Sequence, residues 1–255
     1  VPDLEAALRG RLAGGGRAFV PYVTGGLPGV DAALLQAFEG AGADAIEVGI
    51  PFSDPVMDGP VIQEASRLAL EAGATAAGVM RQVQEAGLGI PVVAMTYVNP
   101  VLSTGLERFA DMAVEAGLSG VIVPDLPVDE AGDWTDLCAT RGIDTVFLAA
   151  PGVSAERLRR IASSSRGFVY CVSTYGVTGE RDALAGSARE VVESLRPETD
   201  LPLLVGVGIG TPEHAATACG FADGVVVGTA LVRTLLANDR DGALRLARAF
   251  RAATA

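Results

Sequence analysis

The 255 residues carry 31 acidic and 19 basic side chains, for a net charge of −12, and 49% of them are hydrophobic. That composition suffices for one sizeable core and excludes partners that reward a basic face, nucleic acid and anionic membrane among them. With a single histidine and three cysteines that lack any C-x-x-C spacing, no Cys/His metal cluster is expected, and no apolar run approaches the ~18 residues of a membrane span. The opening Val1-Pro2-Asp3-Leu4-Glu5 lacks the basic-then-apolar layout of a signal peptide, so a cytoplasmic protein is expected, with Cys138, Cys171 and Cys219 as thiols in a reducing compartment.

Leu4, Leu8 and Leu12 predict an amphipathic helix within residues 1–17 that plugs the lower end of the domain. A strand over residues 18–23 follows, then a helix from the recurrence of Val30, Leu34, Ala37, Phe38 and Ala41, closed by Gly42. The next strand alternates Ile46, Val48 and Ile50 on one face with Ala45, Glu47 and Gly49 on the other. A lone carboxylate between two small residues loses hydration, which raises its pKa and suits it to proton transfer. The loop beyond, with Pro51, Asp54, Pro55, Asp58, Gly59 and Pro60, delivers a second carboxylate, Asp58, near the same mouth. A structural ion pair for Glu47 and a turn or N-cap for Asp58 are the plainer alternatives.

The helix-glycine-strand unit repeats, and strands near Ala18, Ala45, Pro91, Gly120, Asp144, Gly167, Pro202 and Gly224 make eight. A single-domain α/β TIM (β/α)8 barrel over residues 1–255, with an extra N-terminal helix, is expected ahead of a doubly wound open sheet. Chemistry in that fold sits at the C-terminal strand ends, where Asp125 is either a third catalytic carboxylate or a turn former between prolines. After the sixth, seventh and eighth strands come Gly176-Val177-Thr178-Gly179, Gly206-Val207-Gly208-Ile209-Gly210 and Gly228-Thr229. Three glycine-rich ends at one corner favour a phosphate held by backbone N–H groups and a helix N-terminus. His214, Trp134, Met80 and Met112 are read as structural.

The stretches F-V-P-Y-V-T-G-G at residues 19–26, I-E-V-G-I-P-F-S-D-P-V-M-D-G-P at 46–60, M-T-Y-V-N-P at 95–100, P-D-L-P at 124–127, G-V-T-G at 176–179 and G-V-G-I-G at 206–210 resemble the tryptophan synthase α subunit, in order and over nearly the whole chain. The resemblance implies a lyase that splits indole-3-glycerol phosphate into indole and glyceraldehyde 3-phosphate without a cofactor in this chain. It assigns acid/base catalysis to Glu47 and the role of second catalytic carboxylate to Asp58, an indole pocket to Tyr22, Met95, Ile122, Leu148 and Tyr170, a further substrate contact to Thr178, and the phosphate to Gly179, Gly208, Gly228 and Thr229. It further implies an α2β2 complex with a β subunit that carries pyridoxal phosphate, faced by Pro51, Asp54, Asn99 and Pro127. Tyr22, where the family commonly has phenylalanine, and Met57 depart from the pattern. A stand-alone lyase that releases free indole, a non-catalytic barrel that activates a partner, and another phosphate-binding barrel isomerase are the competing readings.

Overall fold

The computed structural model describes residues 1–173 and 181–255, with backbone alone over 181–185. Helix α1 (Leu4–Ala13) precedes β1 (Ala18–Thr24), α2 (Ala32–Gly40) and β2 (Ile46–Gly49). Two helices, α3 (Pro60–Glu71) and α4 (Ala76–Ala86), lead to β3 (Val92–Met95), and two more, α5 (Val98–Thr104) and α6 (Leu106–Glu115), lead to β4 (Gly120–Ile122). Then come α7 (Gly132–Thr140), β5 (Asp144–Val146), β6 (Leu148–Ala149), α8 (Ala155–Ser164), β7 (Val169–Cys171) and α9 (Arg181–Leu195). The chain finishes with β8 (Leu203–Val205), α10 (Pro212–Cys219), β9 (Gly224–Val227), α11 (Thr229–Leu236) and α12 (Arg240–Ala253). Asp3, Asp31, Thr75, Ser154, Thr211 and Asp239 each accept a first-turn N–H and so fix where six helices begin.

Every strand pairing is parallel, in the order β5-β4-β3-β2-β1-β9-β8-β7-β6. The expected eight strands appear as nine because the fifth stave is divided at Phe147, its lower half paired to β4 and its upper half to β7. The stave still closes the barrel: Thr145, Phe147 and Ala149 offer successive carbonyls to the N–H groups of Arg166, Tyr170 and Val172 at 2.9, 3.0 and 2.9 Å. The architecture is therefore the (β/α)8 barrel expected from the repeat. Among the described residues no helix is long and apolar enough to cross a membrane.

The N-terminal helix is shorter than residues 1–17 but plugs the bottom as expected. Leu4 and Leu8 are buried, and Ser119, just before β4, donates to the carbonyl of Pro2 at 2.8 Å. Arg251 of α12 holds Asp44 at 2.8 Å, while the same carboxylate oxygen accepts from Phe19 N at 2.8 Å, which ties the last helix to the base of β1.

Residues paired across parallel strands share a face, so the register Tyr22↔Glu47↔Val93↔Gly120↔Asp144 marks a row that points to the barrel axis. Thr24↔Gly49↔Met95↔Ile122↔Val146 is the next row up. Large and small residues alternate between rows. A Cβ on Gly49 would lie 2.1 Å from the Tyr22 hydroxyl, and one on Gly206 would lie 2.0 Å from that of Tyr170. Lower down, a Cβ on Gly224 would meet the Ala18 carbonyl oxygen at 2.5 Å and its Cβ at 2.6 Å, atoms that cannot swing away. Gly224→Ala is therefore expected to lower stability by roughly 1–3 kcal/mol. Gly132→Ala, on the exposed first turn of α7 with nothing within 4 Å, is expected to raise it by up to about 1 kcal/mol. Urea unfolding of both variants checks the contrast, and equal effects would mean the interior row is not packed to its limit.

Candidate active site

Strand β2 puts Glu47 on the inner face because its neighbours Ile46 and Val48 turn outward to meet the helices. The side chain is 1% exposed, and its Oε2 receives no hydrogen bond from any described residue. No arginine pairs with it among the described residues, so the structural ion pair is not what the barrel contains. Burial, and secondarily the charge of Asp58, push its pKa up to about 8.

Asp58 arrives on the loop between β2 and α3, which is folded on itself by bonds from Val56 N to the Asp54 carbonyl (2.9 Å) and from Asp58 N to that of Pro55 (3.0 Å). Gln63 of α3 pins the loop by donating to the Asp58 carbonyl at 2.9 Å. Asp58 is not the helix cap: Gly59 occupies that position and Pro60 opens the helix. Its carboxyl is left to face the cavity, where burial raises its pKa to about 6 against the pull of the Tyr97 hydroxyl, which hydrogen-bonds it. Tyr97 also accepts from Met57 N at 2.9 Å and packs on Phe52 with ring centroids 5.3 Å apart. The sequence offered Tyr97 only as part of a polar strand end. Its role as the strut of the Asp58 loop depends on contacts 40 residues apart.

Both carboxylates open into one cavity of about 160 Å³. Tyr22, Met95, Leu148 and Tyr170 line it as expected, joined by Met57, Ile62, Pro124, Val172 and Val226. Ile122 is not among the lining residues: it lies beside Met95 in the same row but is fully buried. Tyr22 lies across Gly49, with its hydroxyl 3.4 Å from that of Thr24.

The opposite wall is backbone: Gly206, Val207, Gly208, Gly228 and Thr229. Gly208 adopts φ 88°, and Gly228 precedes α11 with no side-chain cap, so the first-turn N–H groups of that helix are offered to the cavity. No lysine or arginine is among the described residues that line it, so there an anion meets amides and a helix end. Thr178 and Gly179 lie outside the described residues.

Several other candidates resolve as structure. The Asp125 carboxylate accepts from Val98 N at 2.8 Å, at the start of α5. His214 Nδ1 accepts from Gly210 N at 3.3 Å, Trp134 packs edge-on against Phe109 at 6.0 Å, and Met80 is in the core with Met112 packed against it. All three cysteines are free thiols; Cys138 and Cys171 are buried, Cys219 partly, and burial pushes Cys138 up to about 12 and Cys219 up to about 11. Of the four residues assigned to a partner face, Asp54 and Asn99 are exposed, Pro127 is half-buried and Pro51 is buried within its own chain. Nearby, Val56 on the loop of Asp54 is 79% exposed and Leu102, on α5 with Asn99, is 59% exposed.

The sequence matches the family described as tryptophan synthase alpha chain over residues 10–253. The tryptophan synthase alpha chain of Streptomyces avermitilis is 45% identical over 253 residues, covering 97% of this chain and 91% of its own length. Among solved structures, Mycobacterium tuberculosis tryptophan synthase superposes with a TM-score of 0.91 at 37% identity, over 100% of this chain and 98% of the other. Tryptophan synthase subunit alpha from Legionella pneumophila gives 0.89 at 32% identity, over 100% and 98%. The match of sequence and fold over essentially its full length means that the chain belongs to the tryptophan synthase alpha chain family.

Proposed function

We propose that this chain cleaves indole-3-glycerol phosphate to indole and glyceraldehyde 3-phosphate, with Glu47 as acid and then base and Asp58 as the anion that stabilises the ring. The observation that carries the reading is the buried, unpartnered Glu47 oxygen in the same cavity as a second carboxylate. Near neutral pH Glu47 is protonated, since its pKa is about 8, while Asp58, at about 6, is ionised. Glu47 gives its proton to C3 of the indole ring, and Asp58 balances the positive charge that appears at the ring nitrogen. The bond from C3 to the glycerol carbon breaks and its electrons restore the aromatic ring. Glu47, now a carboxylate, takes the hydroxyl proton from that carbon as it becomes the aldehyde, and so returns to its starting state. The chain contains no lysine, so cleavage through a lysine imine has no nucleophile here.

Tyr22, Met95, Leu148 and Tyr170 supply the apolar walls for the ring, and Gly208, Gly228 and Thr229 the amide cradle for the phosphate, with Gly179 assigned to the same end, and Thr178 to substrate binding, by resemblance. The chain would act in an α2β2 complex whose β subunit holds the pyridoxal phosphate, docked on the mouth around Asp54, Asn99 and Pro127. Exposed Val56 and Leu102 beside these residues favour the complex over a stand-alone lyase. Two carboxylates in one cavity disfavour a non-catalytic barrel.

Glu47→Gln is expected to fold normally and to lose roughly 10²–10⁴-fold in indole release. In the wild type, kcat is expected to rise through a limb near pH 6 as Asp58 ionises and to fall through one near pH 8 as Glu47 loses its proton, the two limbs belonging to the coupled pair. Near-normal turnover by folded Glu47→Gln would sink the assignment. Gly208→Val, at a left-handed position lining the cradle, is expected to weaken glycerol phosphate binding far more than it slows bound substrate; unchanged affinity in a titration would place the anion elsewhere. Asp58→Asn is expected to bind substrate without turning it over, whereas Asp54→Ala should keep the basal rate and lose stimulation by added β subunit. Full stimulation of Asp54→Ala would show that the loop does not couple the two sites.

A further inference from the structure

Behind the Asp58 side of the cavity lies a second, enclosed void of about 10 Å³. It is lined by Tyr22, Asp58, Ser66, Thr96 and Tyr97 among its polar groups. Its volume is that of one water molecule, and three or four polar partners are what a buried water needs. Thr96, the residue just past β3, is 1% exposed, and its Oγ1 has no hydrogen-bond partner among the described residues. Its backbone is fixed by donation from Thr96 N to the Ile122 carbonyl at 3.0 Å, so the hydroxyl stays beside the void. Ser66, 4% exposed on the inner face of α3, borders the void too. An apolar residue of the same shape would avoid the cost of an orphaned hydroxyl, and the polar lining makes sense if something in the void bonds to it.

We propose that this void binds a single ordered water, held by the Thr96 and Ser66 hydroxyls, which hydrogen-bonds the Asp58 carboxylate and makes Thr96 a positioning residue for Asp58. The water carries the carboxylate's orientation back to β3 and α3, two elements that do not move with the loop. It also favours the ionised form of Asp58, opposing Glu47 on β2, the other carboxylate among the described residues that line the cavity, while the hydroxyls of Tyr22 and Tyr97 face Asp58 from β1 and from the start of α5. The role in catalysis rests on the lyase reading above, but occupancy of the void does not.

Two substitutions decide it: Thr96→Val, which keeps shape and removes the hydroxyl, and Thr96→Ser, which keeps the hydroxyl. If the void is wet, Thr96→Val lowers the melting midpoint by about 2 °C or more and Thr96→Ser lies between it and the wild type; if it is dry, Thr96→Val raises the midpoint, because an orphaned hydroxyl has been removed. A crystal structure of the wild type should show density for one water within hydrogen-bonding distance of Thr96 Oγ1 and Asp58. For the positioning role, the acid limb of the kcat profile in Thr96→Val should move up by roughly half a unit to one unit, with KM within about twofold of wild type and recovery in Thr96→Ser. A raised midpoint, or a void empty of density, overturns the water site. An unmoved acid limb in an active enzyme overturns the positioning role. Wild type that is wet by structure and melting but releases no indole overturns the lyase reading and leaves the site standing.

Discussion

A carboxylate held inside a parallel barrel without a counter-charge is the constraint around which this structure is arranged. Glu47 loses its water to the strands on either side, and neither a cation nor a hydrogen bond from the described residues replaces it. The neutral acid is the form such a site tolerates, which is why the pKa rises to about 8 rather than the carboxylate finding a partner. The sign of the cost follows. The raised pKa gives stability that is full below the ordinary carboxylate range and is lost as pH climbs through about 8. The fold thus gives up stability at alkaline pH to keep an acid protonated at neutral pH, and the Asp58 carboxyl, on a loop and helped by the Tyr97 hydroxyl, stays the stronger acid of the two.

Space is divided by a second rule, large side chains lying over glycines on the neighbouring strand. Tyr22 needs the bare backbone of Gly49, and Tyr170 needs that of Gly206. Gly206 shows how two demands can meet in one residue: it sits in the glycine-rich end that borders the cradle, yet its missing Cβ is already required by the Tyr170 ring. Counting glycines at strand ends therefore overstates how many are there for an anion. Gly228, the uncapped start of α11, meets only ring and Cβ carbons of Tyr22 at 3.4 Å or more, and Gly208 has a φ of 88° that favours glycine in its own right; these two are the better candidates for that purpose.

What the sequence revealed, and what it withheld, divides along range. The alternation around Glu47 and the helix-glycine-strand repeat are local patterns, so the barrel and the inward carboxylate could be read directly. The division of the fifth stave at Phe147 could not, because it records which neighbour each half pairs with. Ile122 was placed on the wall by resemblance; it shares a row with the lining Met95 but is itself wholly covered, and which members of one row stay open is set by packing across the barrel rather than by the strand's own pattern. Pro51 was placed on an outer face and is buried within its own chain, which its place in a proline-rich loop gave no reason to expect. Tyr97, Thr96 and Ser66 meet Asp58 from a different strand and a helix, and nothing in their immediate neighbours signals it.

The same arrangement accounts for how a chain of net charge −12 can hold an anionic substrate. A basic side chain in the cavity would pair with Glu47 or Asp58 and abolish the pKa separation that the proposed chemistry uses, so cationic recognition and this acid/base pair are mutually exclusive in so small a space. Backbone amides and a helix N-terminus avoid the conflict. Their partial charges attract a phosphate at close range, fade within a turn of the helix, and do not titrate. In the proposed site, affinity for the phosphate is thereby uncoupled from the protonation of the two carboxylates, and among the described lining residues the acid/base response is left to Glu47 and Asp58.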